Sequence, residues 1–249
     1  MCLLTTLEDM PTTLPSSCSL GAISVREDPR DAFVAKARSK YTEIQSLPHG
    51  AVVGTSSVRR SSQLLRLYPH FKFAEVRGNL NTRLSKLDDE NGKYDCLILA
   101  AAGLKRIGLQ DRITQYLDPE NGGMLYAVGQ GALGLEIRNG DDEMLELVKK
   151  LEDRGTALAC LAERSLLRTL EGGCSVPIGV ETSWVGEESD GLMNMKAIVV
   201  SLNGKESVES HLQSRVDTAD EAEGFGKTLA QQLIDLGATK ILHEIEANK

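Results

Sequence analysis

The chain has 249 residues, 41% of them apolar and 26% charged, with a mean hydropathy of −0.20. That composition excludes disordered and fibrous classes and leaves room for one large domain or two smaller ones. Its 28 Lys and Arg stand against 36 Asp and Glu, so the chain as a whole is acidic. Residues 49–86 reverse the balance, with Arg59, Arg60, Arg66, Lys72, Arg77, Arg83 and Lys86 against Glu75 alone. A cationic patch built mostly of arginine predicts recognition of a specific small anion through forked hydrogen bonds, rather than diffuse attraction to a polymer.

The first residues, Met1-Cys2-Leu3-Leu4-Thr5-Thr6-Leu7-Glu8, show neither a basic region nor a long apolar stretch of the secretory kind. The longest nearly uncharged apolar run, residues 96–104, is about half of what a membrane-crossing helix needs. A cytoplasmic protein without a membrane partner is expected. Five cysteines without a C-x-x-C pair, and four histidines outside ligand spacing, predict neither a disulfide framework nor a metal site. Aromatics are 4% of the chain and do not interleave with the basic residues, which argues against nucleic acid as the anion.

Strand-like runs are expected at residues 20–23, 51–53, 71–76 and 94–99, with helices at 57–68 and 80–90 between the last three. This alternation predicts an open sheet with helices on its faces and ligands at the carboxyl ends of the strands. The most informative stretch is Val52-Val53-Gly54-Thr55-Ser56-Ser57-Val58-Arg59-Arg60. It runs from a strand through three hydroxyl residues into a helix. Thr55, Ser56 or Ser57 is placed to cap that helix, whose first turn carries Arg59 and Arg60, a phosphate or carboxylate cradle. It is neither a P-loop nor a dinucleotide fingerprint.

Residues 124–137 read as a glycine-punctuated strand, turn and strand, and 141–170 as two helices broken near Asp153-Arg154-Gly155, with a Leu and Ala stripe facing a core. Strands follow at 178–184, 195–200 and 207–216, the last two joined by an Asn203-Gly204 hairpin signal, then helices at 219–236 and 241–246. Cys174 follows two glycines at a helix end, with no histidine beside it to act as a base.

Four segments are similar, in order, to the porphobilinogen deaminase (hydroxymethylbilane synthase) family. They are Val53-Gly54-Thr55-Ser56-Ser57-Val58-Arg59-Arg60, Val76-Arg77-Gly78-Asn79-Leu80-Asn81-Thr82-Arg83, Tyr126-Ala127-Val128-Gly129-Gln130-Gly131-Ala132-Leu133 and Leu170-Glu171-Gly172-Gly173-Cys174-Ser175-Val176-Pro177. Asp9-Met10-Pro11-Thr12 and Arg26-Glu27-Asp28-Pro29-Arg30-Asp31-Ala32 extend the likeness, and it is the eukaryotic members that the chain most resembles.

The resemblance implies an α/β fold in three parts: a remnant of domain 1 (1–26 and 128–150), a doubly wound α/β domain 2 with the arginine cluster (27–127), and a smaller α+β C-terminal domain (151–249). It implies head-to-tail joining of four porphobilinogen molecules, with loss of ammonia, on a dipyrromethane cofactor linked by a thioether to Cys174. Arg59, Arg60, Arg83 and Arg106 would hold cofactor carboxylates, and Arg77, Ser56 and Gln130 would hold substrate. Asp9 would be the catalytic carboxylate, stabilising positive charge as ammonia leaves. The implied partner is porphobilinogen alone, bound by a monomer.

Where the family reads His-Ser-Leu-Lys-Asp, this chain reads Thr5-Thr6-Leu7-Glu8-Asp9, so the lysine gives way to an acid. About a quarter of the family's length lies upstream of the match. These two departures predict a chain that is impaired unless the missing part is supplied. The competing reading is a homologue that only binds small polycarboxylates; a weaker one uses the basic window for nucleic acid.

Overall fold

Strands that are apolar on both faces need cover on both faces, and the largest sheet of this chain is built from such strands. The computed structural model describes residues 2–170 and 176–247. The order begins β1 (Cys2–Thr6), β2 (Cys18–Ile23), β3 (Asp31–Ala35), β4 (Val52–Gly54), α1 (Val58–Leu67), β5 (Lys72–Ala74) and α2 (Leu80–Asp88). It continues with β6 (Cys96–Ala100), α3 (Ala101–Arg106) and β7 (Gln115–Leu117). Five of these strands form a sheet in the order β5-β4-β6-β3-β7, parallel over β5, β4 and β6 and antiparallel at β3. Phe33, Val53, Cys96 and Ile98 pack with Leu64 of α1 on one face. Ala32, Val34, Leu97 and Leu99 pack with Leu84 and Leu87 of α2 on the other. A one-residue step changes the face, as the pleat requires.

β8 (Leu133–Arg138) lies between β1 and β2 and is antiparallel to both. The β2 register shifts at Gly21, where a Cβ would lie 2.8 Å from Val148 Cγ2; this glycine allows α4 (Asp142–Lys149) to approach the sheet closely. α5 (Arg154–Thr169) follows and serves two cores. Its Ala157 and Cys160 join Leu7, Met10, Ile23 and Ala132 at the first sheet. Its Leu158, Ala159, Ala162 and Leu166 join the core under a third sheet, as helical spacing allows.

That third sheet is an antiparallel meander of β9 (Ile178–Trp184), β10 (Leu192–Val200) and β11 (Ser207–Arg215), covered by α5, α6 (Ala219–Asp235) and α7 (Ala238–Ala247). Alternate residues of β10, Met193, Met195, Ala197 and Val199, face these helices. Residues 201–206 connect β10 to β11, and Gly204 takes φ +71° there with its amide on the Ser201 carbonyl at 2.9 Å. Asn203 lacks the positive φ of a two-residue Asn-Gly turn, so the hairpin is made by a longer loop than that signal predicts.

The chain is therefore α/β with an α+β portion, as the pattern of strands and helices predicts. Residues 124–137 are a correction: only β8 is a strand there. Tyr126 makes a lone bridge to Val180, and Gly129 and Gly131 take φ +72° and +84° in turns. β1, β3, β7 and α3 were not expected. The apolar run 96–104 divides into β6 and α3 at a junction where no side chain caps the helix, so no polar residue marks the change.

Helix starts match the cap chemistry. The Asn79 Oδ1 accepts from Thr82 N and Thr82 Oγ1, both at 2.9 Å, and so seats α2. Asn79→Ala is expected to lower folding stability by about 1 kcal/mol, measured by urea denaturation.

Candidate functional site

β3 begins with a carboxylate. Asp31 is 1% exposed, and Arg59 and Arg60, adjacent in the first turn of α1, are 5% and 8% exposed. Arg59 Nη1 donates to Asp31 Oδ2 at 2.7 Å and to the Leu125 carbonyl at 2.7 Å, and its Nη2 to Asp31 Oδ1 at 3.2 Å and Gln130 Oε1 at 3.0 Å. Arg60 Nε donates to Asp31 Oδ1 at 2.8 Å, and its Nη1 to the Ile98 carbonyl at 3.3 Å. Gln130 Nε2 donates to Asp31 Oδ1 at 3.0 Å and to the Pro29 carbonyl at 2.6 Å. Burial works to raise the pKa of Asp31. The charges of Arg59 and Arg60, with hydrogen bonds from Arg59 and Gln130, outweigh it and hold it down to about 2.

The two arginines have one face on this network and another on a cleft of about 310 Å³, whose walls include Ser56, Ser57, Arg83, Glu8, Asp9 and Val128. All four Nη hydrogens of Arg59 have acceptors, so only its Nε hydrogen remains for a ligand. Arg60 keeps more of its fork. Arg83, on α2, donates Nε to the Gly78 carbonyl at 2.7 Å and has no carboxylate within salt-bridge distance among the described residues. Burial, and then repulsion from Arg60, lower its pKa; both costs would be relieved by an anion in the cleft.

Asp9 faces this cationic wall. Thr6 Oγ1 donates to Asp9 Oδ2 at 2.5 Å, within a turn that follows β1. Beside it, Glu8 is open to the cleft, yet enough protein surrounds its carboxyl for desolvation to push its pKa up, against the pull of Arg59 and Arg60. A second cleft of about 330 Å³ adjoins the first, sharing Glu8, Asp9, Val128 and Leu167 and extending to Arg164.

Of the residues singled out in the sequence, Asp9, Ser56, Arg59, Arg60 and Arg83 meet at this cleft. Ser56 is partly engaged, donating Oγ to the Val76 carbonyl at 2.8 Å. Gln130 is buried behind the arginines rather than on the cleft wall. Arg77 is 80% exposed at its side chain and paired with Glu75 at 2.7 Å, away from the cleft lining. Arg106 is exposed and donates Nη2 to the Gly131 carbonyl at 2.6 Å, also away from the lining. Cys174 lies outside the described residues. Among the described residues no group of three or more His, Cys, Asp or Glu is placed to hold a metal.

Asp31 and Glu163 were missed as members of the site's frame. Glu163 is fully buried on α5 and takes a forked pair from Arg26, Nη1 to Oε1 at 2.6 Å and Nη2 to Oε2 at 3.0 Å. The available signal was a charged Glu163-Arg164 pair set between apolar Ala162 and Leu166 on the buried side of a helix, where charges need partners.

Residues 2–146 match the family model described as "Porphobilinogen deaminase, dipyromethane cofactor binding domain", and residues 157–235 match "Porphobilinogen deaminase, C-terminal domain". The chain belongs to the porphobilinogen deaminase family. Curated proteins of that name are similar throughout: one from Neurospora crassa is 54% identical over 95% of this chain and 70% of its own length. One from Yarrowia lipolytica is 56% identical over 96% of this chain and 69% of its own. That of Saccharomyces cerevisiae is 50% identical over 98% and 73%. The cofactor of this porphobilinogen deaminase family chain is thus dipyrromethane, a group bearing carboxylates, and the donor set Arg60, Arg83 and Ser57 at the N-terminus of α1 fits it chemically.

Proposed function

We propose that the chain carries out the family reaction: deaminating polymerisation of four porphobilinogen molecules into the linear tetrapyrrole hydroxymethylbilane, on a dipyrromethane primer joined by a thioether to Cys174. The observation that carries this reading is the convergence of Arg59, Arg60 and Arg83 with Ser56 and Ser57 on one wall of a cleft whose other wall bears Asp9. Arg60 and Arg83 supply spare guanidinium donors for acetate and propionate side chains, and the α1 N-terminus adds its partial positive charge. Asp31 holds both α1 arginines in place, so the cationic wall is ordered before a ligand arrives. The primer supplies, when bound, the nucleophilic pyrrole carbon to which the first substrate is joined. Asp9 opposes positive charge as it develops on the substrate with departure of ammonia.

Val176, two residues beyond Cys174 in the chain, lies on the cleft wall. Two residues span no more than about 7 Å, which supports Cys174 as the attachment point. The partition into 1–26 with 128–150, 27–127 and 151–249 goes with this reading, the cleft lying where the three meet. So does a monomer at work in the cytoplasm without nucleic acid or membrane partners; no described helix is long and apolar enough to cross a membrane.

The test is the intact mass of the purified chain and of Cys174→Ala, before and after incubation with porphobilinogen. An adduct of two pyrrole units that depends on Cys174, and that grows in pyrrole steps, is the expected result. A bare mass that never changes would overturn the reading. The second reading, binding of small polycarboxylates without turnover, draws on Glu8, an acid in the cleft where the family pattern has lysine.

A further inference from the structure

We infer that Arg164 is a positioning residue for Asp9: it clamps the chain just after Asp9 onto α5 and so holds the carboxylate at the cleft. The inference rests on the reading of Asp9 given above. Arg164 is 4% exposed and has no carboxylate partner among the described residues. Its Nη1 donates to the Met10 carbonyl at 3.0 Å and its Nη2 to the Pro11 carbonyl at 2.5 Å. Arg168, one helical turn further on, donates Nη1 to the Thr12 carbonyl at 3.0 Å, while its Nη2 pairs with Glu223 at 3.3 Å. Two arginines at i and i+4 therefore engage three successive carbonyls of the segment that follows Asp9.

A buried guanidinium without a counter-ion is costly, and an apolar side chain of similar volume is usually at least as stable in such a place. Burial, and then repulsion from Arg168, push the pKa of Arg164 down, so the helix bears this cost on both counts. What it obtains is a tether for the irregular backbone around Asp9, whose other anchors are the buried side chains of Leu7 and Met10; the carboxylate between them has no such anchor of its own. The Asp9 and Met10 amides bond only to Thr6 and Leu7, at 3.2 and 3.3 Å, within the same turn. The second cleft, about 330 Å³, lies between Asp9 and Arg164, so packing does not lock the turn from that side. Without Arg164 the turn has both the room and the freedom to shift, and displacement of a catalytic group by about 1 Å costs up to 100-fold in rate.

Arg164→Gln and Arg164→Lys in the full chain test this. Amide exchange of Asp9 and Met10, followed by mass spectrometry, is expected to speed up about tenfold in Arg164→Gln and less in Arg164→Lys, while the amides of α5 keep their protection. In porphobilinogen turnover the expected change in Arg164→Gln is a fall in kcat of about tenfold with KM within about twofold. In an Asp9→Glu background, where the carboxylate is already displaced, the same substitution is expected to have little further effect. Unchanged exchange with unchanged kcat, or a full tenfold loss that multiplies with that of Asp9→Glu, overturns the proposal. If wild-type turnover is absent, or Asp9→Asn leaves turnover unchanged, the reading of Asp9 fails and takes this inference with it. If Asp9→Asn abolishes turnover while Arg164→Gln alters nothing, the inference alone fails.

Discussion

Asp31→Ala is expected to lower folding stability by about 3–5 kcal/mol, the cost of leaving buried charge without its partner. The carboxylate accepts from Arg59, Arg60 and Gln130 at once, so its removal strands two guanidinium groups that α1 cannot turn toward water without unpacking Leu64 from the five-stranded sheet. Urea denaturation measures the loss. A loss below about 1 kcal/mol would show that solvent already reaches the arginines. The same carboxylate sets an acid limit. Its folded pKa of about 2 lies below its ordinary 3.8, so its contribution is complete above about pH 4 and disappears as the pH falls toward 2. The wild type should lose roughly 2 kcal/mol across that window through this group alone. Asp31→Asn should lack that increment of acid sensitivity, starting from a lower stability at neutral pH.

Glu163→Ala carries the second large effect, also about 3–5 kcal/mol. Glu163 binds the Arg26 fork and accepts from the Gly129 amide at 2.8 Å, and the guanidinium lies 4.9 Å from the Tyr126 ring centre. One carboxylate therefore ties α5 to the segment leading into β3 and to the turn leading into β8. Its charge holds the Arg26 pKa above the usual value against the desolvation that burial imposes. Loss of the carboxylate leaves a cation that is 11% exposed at its side chain with no anionic partner. Replacing both residues with apolar ones of similar size, Arg26→Met with Glu163→Leu, should be less harmful than Glu163→Ala, because no charge is then left buried. Thermal and urea unfolding of the two single variants and the double variant decide this. A double variant that is as unstable as the sum of the singles would show that the pair does not act as a unit.

Local pattern made much of this fold legible. Helices α1, α2, α4, α5 and α6 are legible from their apolar spacing, and for α1 also from the hydroxyl run Thr55-Ser56-Ser57. The structure selects Ser57 as its cap and adds Asn79, Asp141, Asp153 and Thr218 as the caps of the others, each accepting from the first turn. β10 and β11 are given away by alternation around Asn203-Gly204. β3 was hidden because its four apolar residues follow a charged stretch, and β7 because it is only three residues long and opens with Gln115. The candidate site divides along the same line. Arg59, Arg60 and Ser56 sit on one local motif and could be found together. The partners Asp31, Gln130 and Glu163 come from distant parts of the chain, and no spacing rule links them. Arg77 shares the charge run of the others but meets Glu75 two residues away, which a count of charges does not reveal.

The position of β8 between β1 and β2 governs how the protein can be made. Neither of the two strands pairs with the other; the ladder partner of each is β8. At about 5–20 residues per second of translation, β2 leaves the ribosome roughly 6–23 seconds before β8 does. During that interval both strands lack their ladder partner and present open edges, including Leu3 and Leu4, to the surrounding solution. The five-stranded sheet, whose last strand ends at Leu117, is complete sooner. Nascent chains halted after residue 127 should therefore hold a protease-resistant middle flanked by a cleavable start, and should be the stage at which chaperones are most needed.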